Sequence, residues 1–186
     1  FATLSLPKEQ VFMEDPAAEF AAREPSARGD AEYCFDFGEQ TCGYFEFTVK
    51  AEEGVIIDLN AVEYITPDGT IQHTLPFNRN GMRYITKKGI NRFTSLKRRA
   101  GQYLFLTIRN QKSPVEIRSV RIVESTAPVK PVETFKSSDA ALNKIWSMSE
   151  RALKLCMEDT FTDCPLYEQT LWIGDARNEA LYAFAA

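Results

Sequence analysis

Residues 44–49 read YFEFTV, and within them Phe45, Phe47 and Val49 alternate with Tyr44, Glu46 and Thr48. A period of two sends successive side chains to opposite faces of a strand, so this stretch predicts a strand with one buried face. Its neighbours follow the same rule. Tyr33 to Phe37 precedes it with similar β-type composition. Glu53-Gly54 turns the chain into Val55 to Tyr64, Pro67-Asp68-Gly69 turns it into Thr70 to Leu75, and Lys88-Gly89 separates Met82 to Thr86 from Arg92 to Leu96. Each break carries turn chemistry. Gln102 to Arg109 and Val115 to Glu124 complete the series, the last with a break in its alternation at Ser119. About seven or eight short strands at this spacing, with no helical period between them, predict an antiparallel β-sandwich.

Composition narrows the class further. The chain has 186 residues, 44% of them hydrophobic, with 22 Lys and Arg against 26 Asp and Glu. That suffices for one sizeable core, or one domain and part of another. A quarter of the residues are charged and no apolar run is long enough to cross a bilayer, which argues against a disordered chain and against a membrane partner. The basic residues are dispersed apart from Lys97, Arg98 and Arg99, so no footprint for nucleic acid stands out. Those three read as a solvated strand end, the alternative being a contact with an acidic glycan or another domain. Cys34, Cys42, Cys156 and Cys164 form no Cys-x-x-Cys pair, and His73 is the single histidine, which argues against a metal site. His73 reads as a packing or surface residue. Cys34 and Cys42 read as small apolar core residues, with a cross-strand disulfide as the other choice; the redox compartment stays open.

The pattern changes at Ser125 to Ser137, where Pro128 and Pro131 rule out a central strand and mark a linker. We therefore expect a sandwich domain over 1–133, including a surface segment over the first 32 residues with a short edge strand at Ala2 to Leu6, and a helical region over 134–186. Ser138 offers an N-cap with Asp139 in the first turn. Leu142, Ile145, Ser149, Ala152, Leu153 and Cys156 then recur at three- and four-residue steps, which predicts a helix of about five turns. A second helix is expected from about Asp175, with Ala176, Glu179, Ala180, Ala183 and Phe184 along one side. The chain starts at Phe1 and stops in the apolar run Leu181 to Ala186, which reads as a cut through a helix of something larger.

Between the helices lies DCPLYEQTLWIGDA, Asp163 to Ala176, with the carboxylates Asp163, Glu168 and Asp175 beside Tyr167 and Trp172. Carboxylates accept hydrogen bonds from vicinal hydroxyls, flat rings pack on the apolar face of a pyranose, and a carboxyl kept protonated can donate to a glycosidic oxygen. The pattern thus fits a sugar site. Taken without further information, it fits better two helix-capping aspartates, a core Trp and a solvated Glu.

The segment resembles the catalytic motif of bacterial α-L-rhamnosidases of the six-hairpin glycosidase class: Asp163, Cys164, Pro165, Glu168, Trp172, Gly174 and Asp175 fall in its register. Upstream, Asp36-Phe37-Gly38, Gly43, the turn at Gly54, Val62-Glu63 and Asp68-Gly69-Thr70 resemble the sandwich that precedes the family's catalytic barrel. The resemblance covers roughly Tyr33 to the end. It implies a mainly β chain in which an antiparallel β-sandwich is followed by the first helices of an (α/α)6 barrel, here truncated. It implies an inverting glycoside hydrolase acting on terminal α-L-rhamnosyl or similar deoxy-sugar residues, in which Glu168 is the general acid, Asp163, Trp172, Asp175 and Tyr167 bind substrate, and no cofactor is needed. The implied partners are an oligosaccharide or polysaccharide and the remaining catalytic domain of the same polypeptide, which carries the water-activating carboxylate; the resemblance favours a periplasmic or secreted compartment, with the cytoplasm as the alternative. Tyr167 departs from the Arg that many family members carry there, and Arg98, Arg99, Ala100 and Gly101 replace an aromatic-His-Gly approach to the last sandwich strands. The alternative function is a non-catalytic carbohydrate-binding or structural sandwich attached to a degenerate glycosidase.

Overall fold

A computed structural model describes residues 2–5, 31–71, 80–129 and 134–185. Among the described residues, seven strands and two helices follow in order: β1 (Ala2–Ser5), β2 (Ala31–Ala51), β3 (Ile56–Val62), β4 (Gly81–Ile85), β5 (Gly89–Thr94), β6 (Arg99–Arg109), β7 (Glu116–Glu124), α1 (Ala140–Leu155) and α2 (Ile173–Ala183). The chain divides into two compact units at Glu124/Ser125. All strands belong to the first unit and both helices to the second.

The two strands expected at Tyr33 to Phe37 and Tyr44 to Val49 are one. β2 runs through both, and its pairing with β6 shifts register between Asp36 and Thr41. Gly38, at φ 80°, takes a backbone conformation that other residues resist, and Asp36 Oδ1 accepts its N–H at 2.7 Å. The first half of β2 lies between β1 and β6, while the second half pairs with β5 on one side and β7 on the other. β3 and β4 extend the sheet beyond β6. One long strand thus serves both halves of a curled sheet, a route by which sandwiches turn a corner. β1 pairs parallel to β2 and is the exception to the antiparallel plan. The break in alternation at Ser119 is a bulge: Thr48 faces Ser119 but Val49 faces Ile117, which leaves Arg118 as the extra residue.

Tyr33, Phe35 and Phe37 from the first half of β2 and Phe45, Phe47 and Val49 from the second share one core with Ile57, Leu59, Leu104, Leu106, Val120 and Ile122. Closure of the curl shows at Phe47, whose ring stands edge-on to Tyr84 at 5.4 Å and stacks on Phe93 at 5.3 Å. On the other face of the sheet, Cys34, Val62 and Phe105 make a smaller cluster under Ile65, Ile71 and Tyr103. Cys34 and Cys42 are buried free thiols, as their apolar reading requires. Of the strand expected at Thr70 to Leu75 only Thr70 and Ile71 are described, Ile71 bridging Ile65; the rest of it, His73 included, lies outside the described residues. The basic triplet departs from a solvated strand end. Lys97 is exposed, but Arg98 is buried and burial lowers the affinity of Arg99 for its proton.

In the helical unit, Asp139 rather than Ser138 caps α1, accepting the Ala141 N–H at 2.8 Å, while Ser137 Oγ accepts the Asp139 N–H. An aspartate satisfies an orphan N–H of the first turn with a charge that suits the helix dipole, which a serine lacks. Phe135 stacks on Trp146 at 5.0 Å. Of the apolar stripe expected along α1 only Cys156, at its C-terminal end, is buried, next to Leu155, which lies off the stripe; Leu142 and Ile145 are exposed. No helix among the described residues is long and apolar enough to cross a membrane.

Candidate functional site

The loop from Asp163 to Trp172 is closed by its own first residue. The Asp163 N–H donates to Thr170 O at 3.1 Å, and Asp163 Oδ1 accepts the Thr170 N–H at 3.0 Å. Cys164 then acts as an interior post: its thiol donates to Asp163 Oδ2 at 3.4 Å and its sulfur accepts the Glu168 N–H at 3.3 Å. Burial raises the Cys164 thiol above its usual range, and Asp163 adds to this against the opposing pull of the Glu168 and Gln169 amides. The sulfur therefore stays protonated and keeps a hydrogen to donate. Leu166 is fully buried and anchors the segment from below. Gln169 adopts φ 54°, an uncommon conformation for a side-chain-bearing residue, and its amide donates to Pro165 O at 2.7 Å. The chain reverses there, directly after Glu168.

These constraints hold Glu168 at the loop's exposed tip, where the Trp172 indole N–H donates to its Oε2 at 2.7 Å. The carboxylate and the ring are thus locked together, with the indole half-exposed. Tyr167 is partly buried beside them, whereas Leu171 is exposed. With Leu171 exposed and the indole half-exposed, no apolar cover closes over the Glu168 carboxylate among the described residues. Neither aspartate is a helix cap. Asp163 ties the loop, and Asp175 sits in the first turn of α2, where a negative charge suits the helix dipole; the cap position itself is Trp172, without a side-chain bond.

Sequence reasoning treated Glu179 only as a marker of one side of α2. In the structure it is the carboxylate most affected by this loop: burial raises its proton affinity, and the charges of Asp175 and Asp163 raise it further. Its Oε2 is shielded from solvent with no hydrogen-bond partner among the described residues. The spacing from Asp175 to Glu179 is i to i+4, which places both on one helix face and was the available signal. No group of His, Cys, Asp and Glu suited to a metal ion occurs among the described residues.

A curled antiparallel sheet is thus followed by a helical unit, with a carboxylate-and-indole loop between its helices. The chain belongs to the bacterial alpha-L-rhamnosidases: residues 26–122 match the family's concanavalin-like domain, and residues 130–185 its 6 hairpin glycosidase domain. An alpha-L-rhamnosidase of Formosa agariphila is 23% identical over 160 residues, which span 83% of this chain and 17% of that protein. The crystal structure of the GH78 family rhamnosidase of Bacillus sp. GL1 superposes with a TM-score of 0.82 at 40% identity, over 92% of this chain and 18% of that one. A rhamnosidase from Klebsiella oxytoca with rhamnose bound shares the fold at a TM-score of 0.70 and 20% identity, over 86% of this chain and 33% of its own. The chain thus spans about a sixth of the curated relative's length.

Proposed function

We propose that this chain is the sandwich and first catalytic helices of an inverting α-L-rhamnosidase, and that Glu168 is its general acid. The observation that carries the reading is the Glu168–Trp172 pair, a carboxyl and an indole face held together at an exposed loop tip by the 2.7 Å hydrogen bond. With one oxygen accepting from the indole, the other can carry the proton delivered to the leaving glycosidic oxygen. The ring of Trp172 offers its flat face to the sugar's C–H edge, including a deoxy-sugar methyl. Asp175 and Asp163 accept from sugar hydroxyls, Asp163 while also bracing the loop, and Tyr167 adds a phenol at the rim. We assign the sandwich to 1–133 and the catalytic helices to 134–186.

Inversion needs a second carboxylate about 6.5–9.5 Å from the acid to activate water on the opposite face of the ring. We place it on a later helix of the same polypeptide. The same extra helices have a place to dock: an apolar groove of about 340 Å3 lined by Phe135, Leu142, Ile145, Trp146, Leu153 and Tyr182. Their arrival also dries the loop, and a desolvated carboxyl holds its proton more tightly. Released rhamnose from 4-nitrophenyl α-L-rhamnopyranoside, followed by NMR, tests the proposal. The full-length polypeptide should hydrolyse it and release the β anomer first, while the 186-residue chain should give no turnover. Turnover by the short chain, or the α anomer as first product, would contradict it.

A further inference from the structure

The outer face of the sandwich's β5-β2-β7 layer carries a cleft that the rhamnosidase reading does not use. Its volume is about 480 Å3, and its lining includes Glu46, Thr48, Ile90, Arg92, Arg118 and Arg121. The strand register sets its plan. Thr94, Glu46 and Arg121 form one row across the three strands, and Arg92, Thr48 and Ser119 form the next. These positions alternate with Phe45, Phe47 and Val49, which point into the core, so the polar face is the reverse of the same strand pattern. The bulge at Arg118 adds a third guanidinium to the floor.

The charges are not equivalent. Arg121 is neutralised by Glu46 at 2.6 Å, and the Thr94 hydroxyl also donates to Glu46 at 3.1 Å. Arg118 is neutralised by Glu116 at 2.9 Å. Arg92 is exposed and has no ion pair or hydrogen bond to another described residue. On a chain whose net charge is −4, the cleft therefore presents one uncompensated guanidinium, flanked by the hydroxyls of Thr48, Thr94 and Ser119 and by the half-exposed side chain of Ile90. A guanidinium fork receives a carboxylate through two parallel hydrogen bonds. The hydroxyls match ring hydroxyls, and Ile90 matches an apolar C–H edge.

We propose that this cleft binds a carboxylate-bearing saccharide, a uronic acid unit within a glycan, with Arg92 holding the carboxylate and Thr48 and Ser119 the ring hydroxyls. That the ligand is anionic rests on the cleft; that it is a saccharide rests on the glycan-acting function proposed above. The site would let the sandwich hold a charged chain while the catalytic loop works on a neutral deoxy-sugar.

Calorimetric titration of the 186-residue chain with digalacturonic acid tests this, with the neutral disaccharide α-1,4-galactobiose, sodium acetate and inorganic phosphate as parallel arms. We expect digalacturonate to bind at least tenfold more tightly than galactobiose, acetate and phosphate, and Arg92→Gln to remove that preference while leaving the near-ultraviolet circular dichroism unchanged. Raising the salt from about 0.05 to about 0.5 M should weaken digalacturonate several-fold, since it shortens the screening length of an exposed pair. No binding by the wild-type chain, equal affinity for acid and neutral sugar, phosphate or acetate binding as well as the uronate, or an unaltered Arg92→Gln variant would each overturn the proposal. Hydrolysis plays no part in this readout, so its failure and a failure of the Glu168 assignment are separately visible.

Discussion

Single residues show most plainly where alternation is a sufficient guide and where it is not. Asp58 on β3 stands on the polar side of its strand, and nothing in the local pattern distinguishes it. Pairing across strands does: it receives Arg83 from β4 at 2.7 Å and also Arg109 from β6. The hydrogen bond from Arg83, with that from Arg109, holds its carboxyl below the usual range against the opposing effect of partial burial. A lowered folded-state pKa stabilises the fold above the unfolded-state value and is lost as pH falls through the folded one. The wild type should therefore lose stability through this group as pH falls below the ordinary carboxylate range and through the lowered folded-state value, whereas Asp58→Asn should have that part of the slope removed. Because the ions are partly exposed, the difference in urea-unfolding free energy should be at most about 1 kcal/mol. Gly43 is a second case. A Cβ there would meet Val123 O at 2.0 Å, backbone against backbone, so Gly43→Ala should lower the unfolding free energy by about 1–3 kcal/mol, read as a lower urea midpoint. The glycine was visible in the sequence, but the reason for it lies in β7, far along the chain.

At the scale of elements, period and turn chemistry located β3, β4, β5, β6, β7 and both helices to within a few residues, because each is bounded by its own breaks. They did not reveal that β2 is continuous: Tyr33 to Phe37 and Tyr44 to Val49 read as separate strands, whereas the stretch between them, with Gly38 bonded to Asp36, shapes a bend inside one strand. Long-range pairing with β6 and β7 supplies the hydrogen bonds that a turn would have ended. The cap of α1 was misplaced by one residue because Ser138 and Asp139 are both competent, and only the geometry chooses between them. Asp139→Ala should destabilise the helical unit by about 1 kcal/mol, while Ser138→Ala should change little. Thermal unfolding followed by circular dichroism at the helix band separates the two variants. The loop after α1 was legible as chemistry but not as mechanics: the carboxylates and the indole are in the sequence, while the thiol post of Cys164, the reversal at Gln169 and the unpartnered oxygen of Glu179 are products of folding.

Taken whole, the molecule is one well-buried unit of sheet and one unit of helices whose apolar surface is largely open. The sheet unit encloses fully buried Phe35, Phe45, Ile57, Leu59, Leu104 and Ile122, whereas in the helical unit Leu142, Ile145, Met148, Ile173, Leu181 and Phe184 are exposed. Exposed apolar faces on this scale are docking surfaces, and under the proposed function they receive the later helices of a rhamnosidase. The change from sheet to helices late in the chain was readable from composition and period, because it depends on how the apolar positions of each segment are spaced. What each face docks against was not readable, because complementary surfaces leave no periodic trace. The central claim is that Glu168 protonates the leaving oxygen, and leaving-group dependence in the full-length polypeptide tests it most directly. A general acid contributes about 10²–10⁴-fold and matters least when the leaving group needs no proton. Glu168→Gln should therefore depress kcat/KM by at least a hundredfold on a rhamnosyl disaccharide, but by a much smaller factor on an activated aryl rhamnoside such as the 2,4-dinitrophenyl glycoside. Equal losses on both substrates, or wild-type turnover of the disaccharide by a folded Glu168→Gln enzyme, would contradict the assignment.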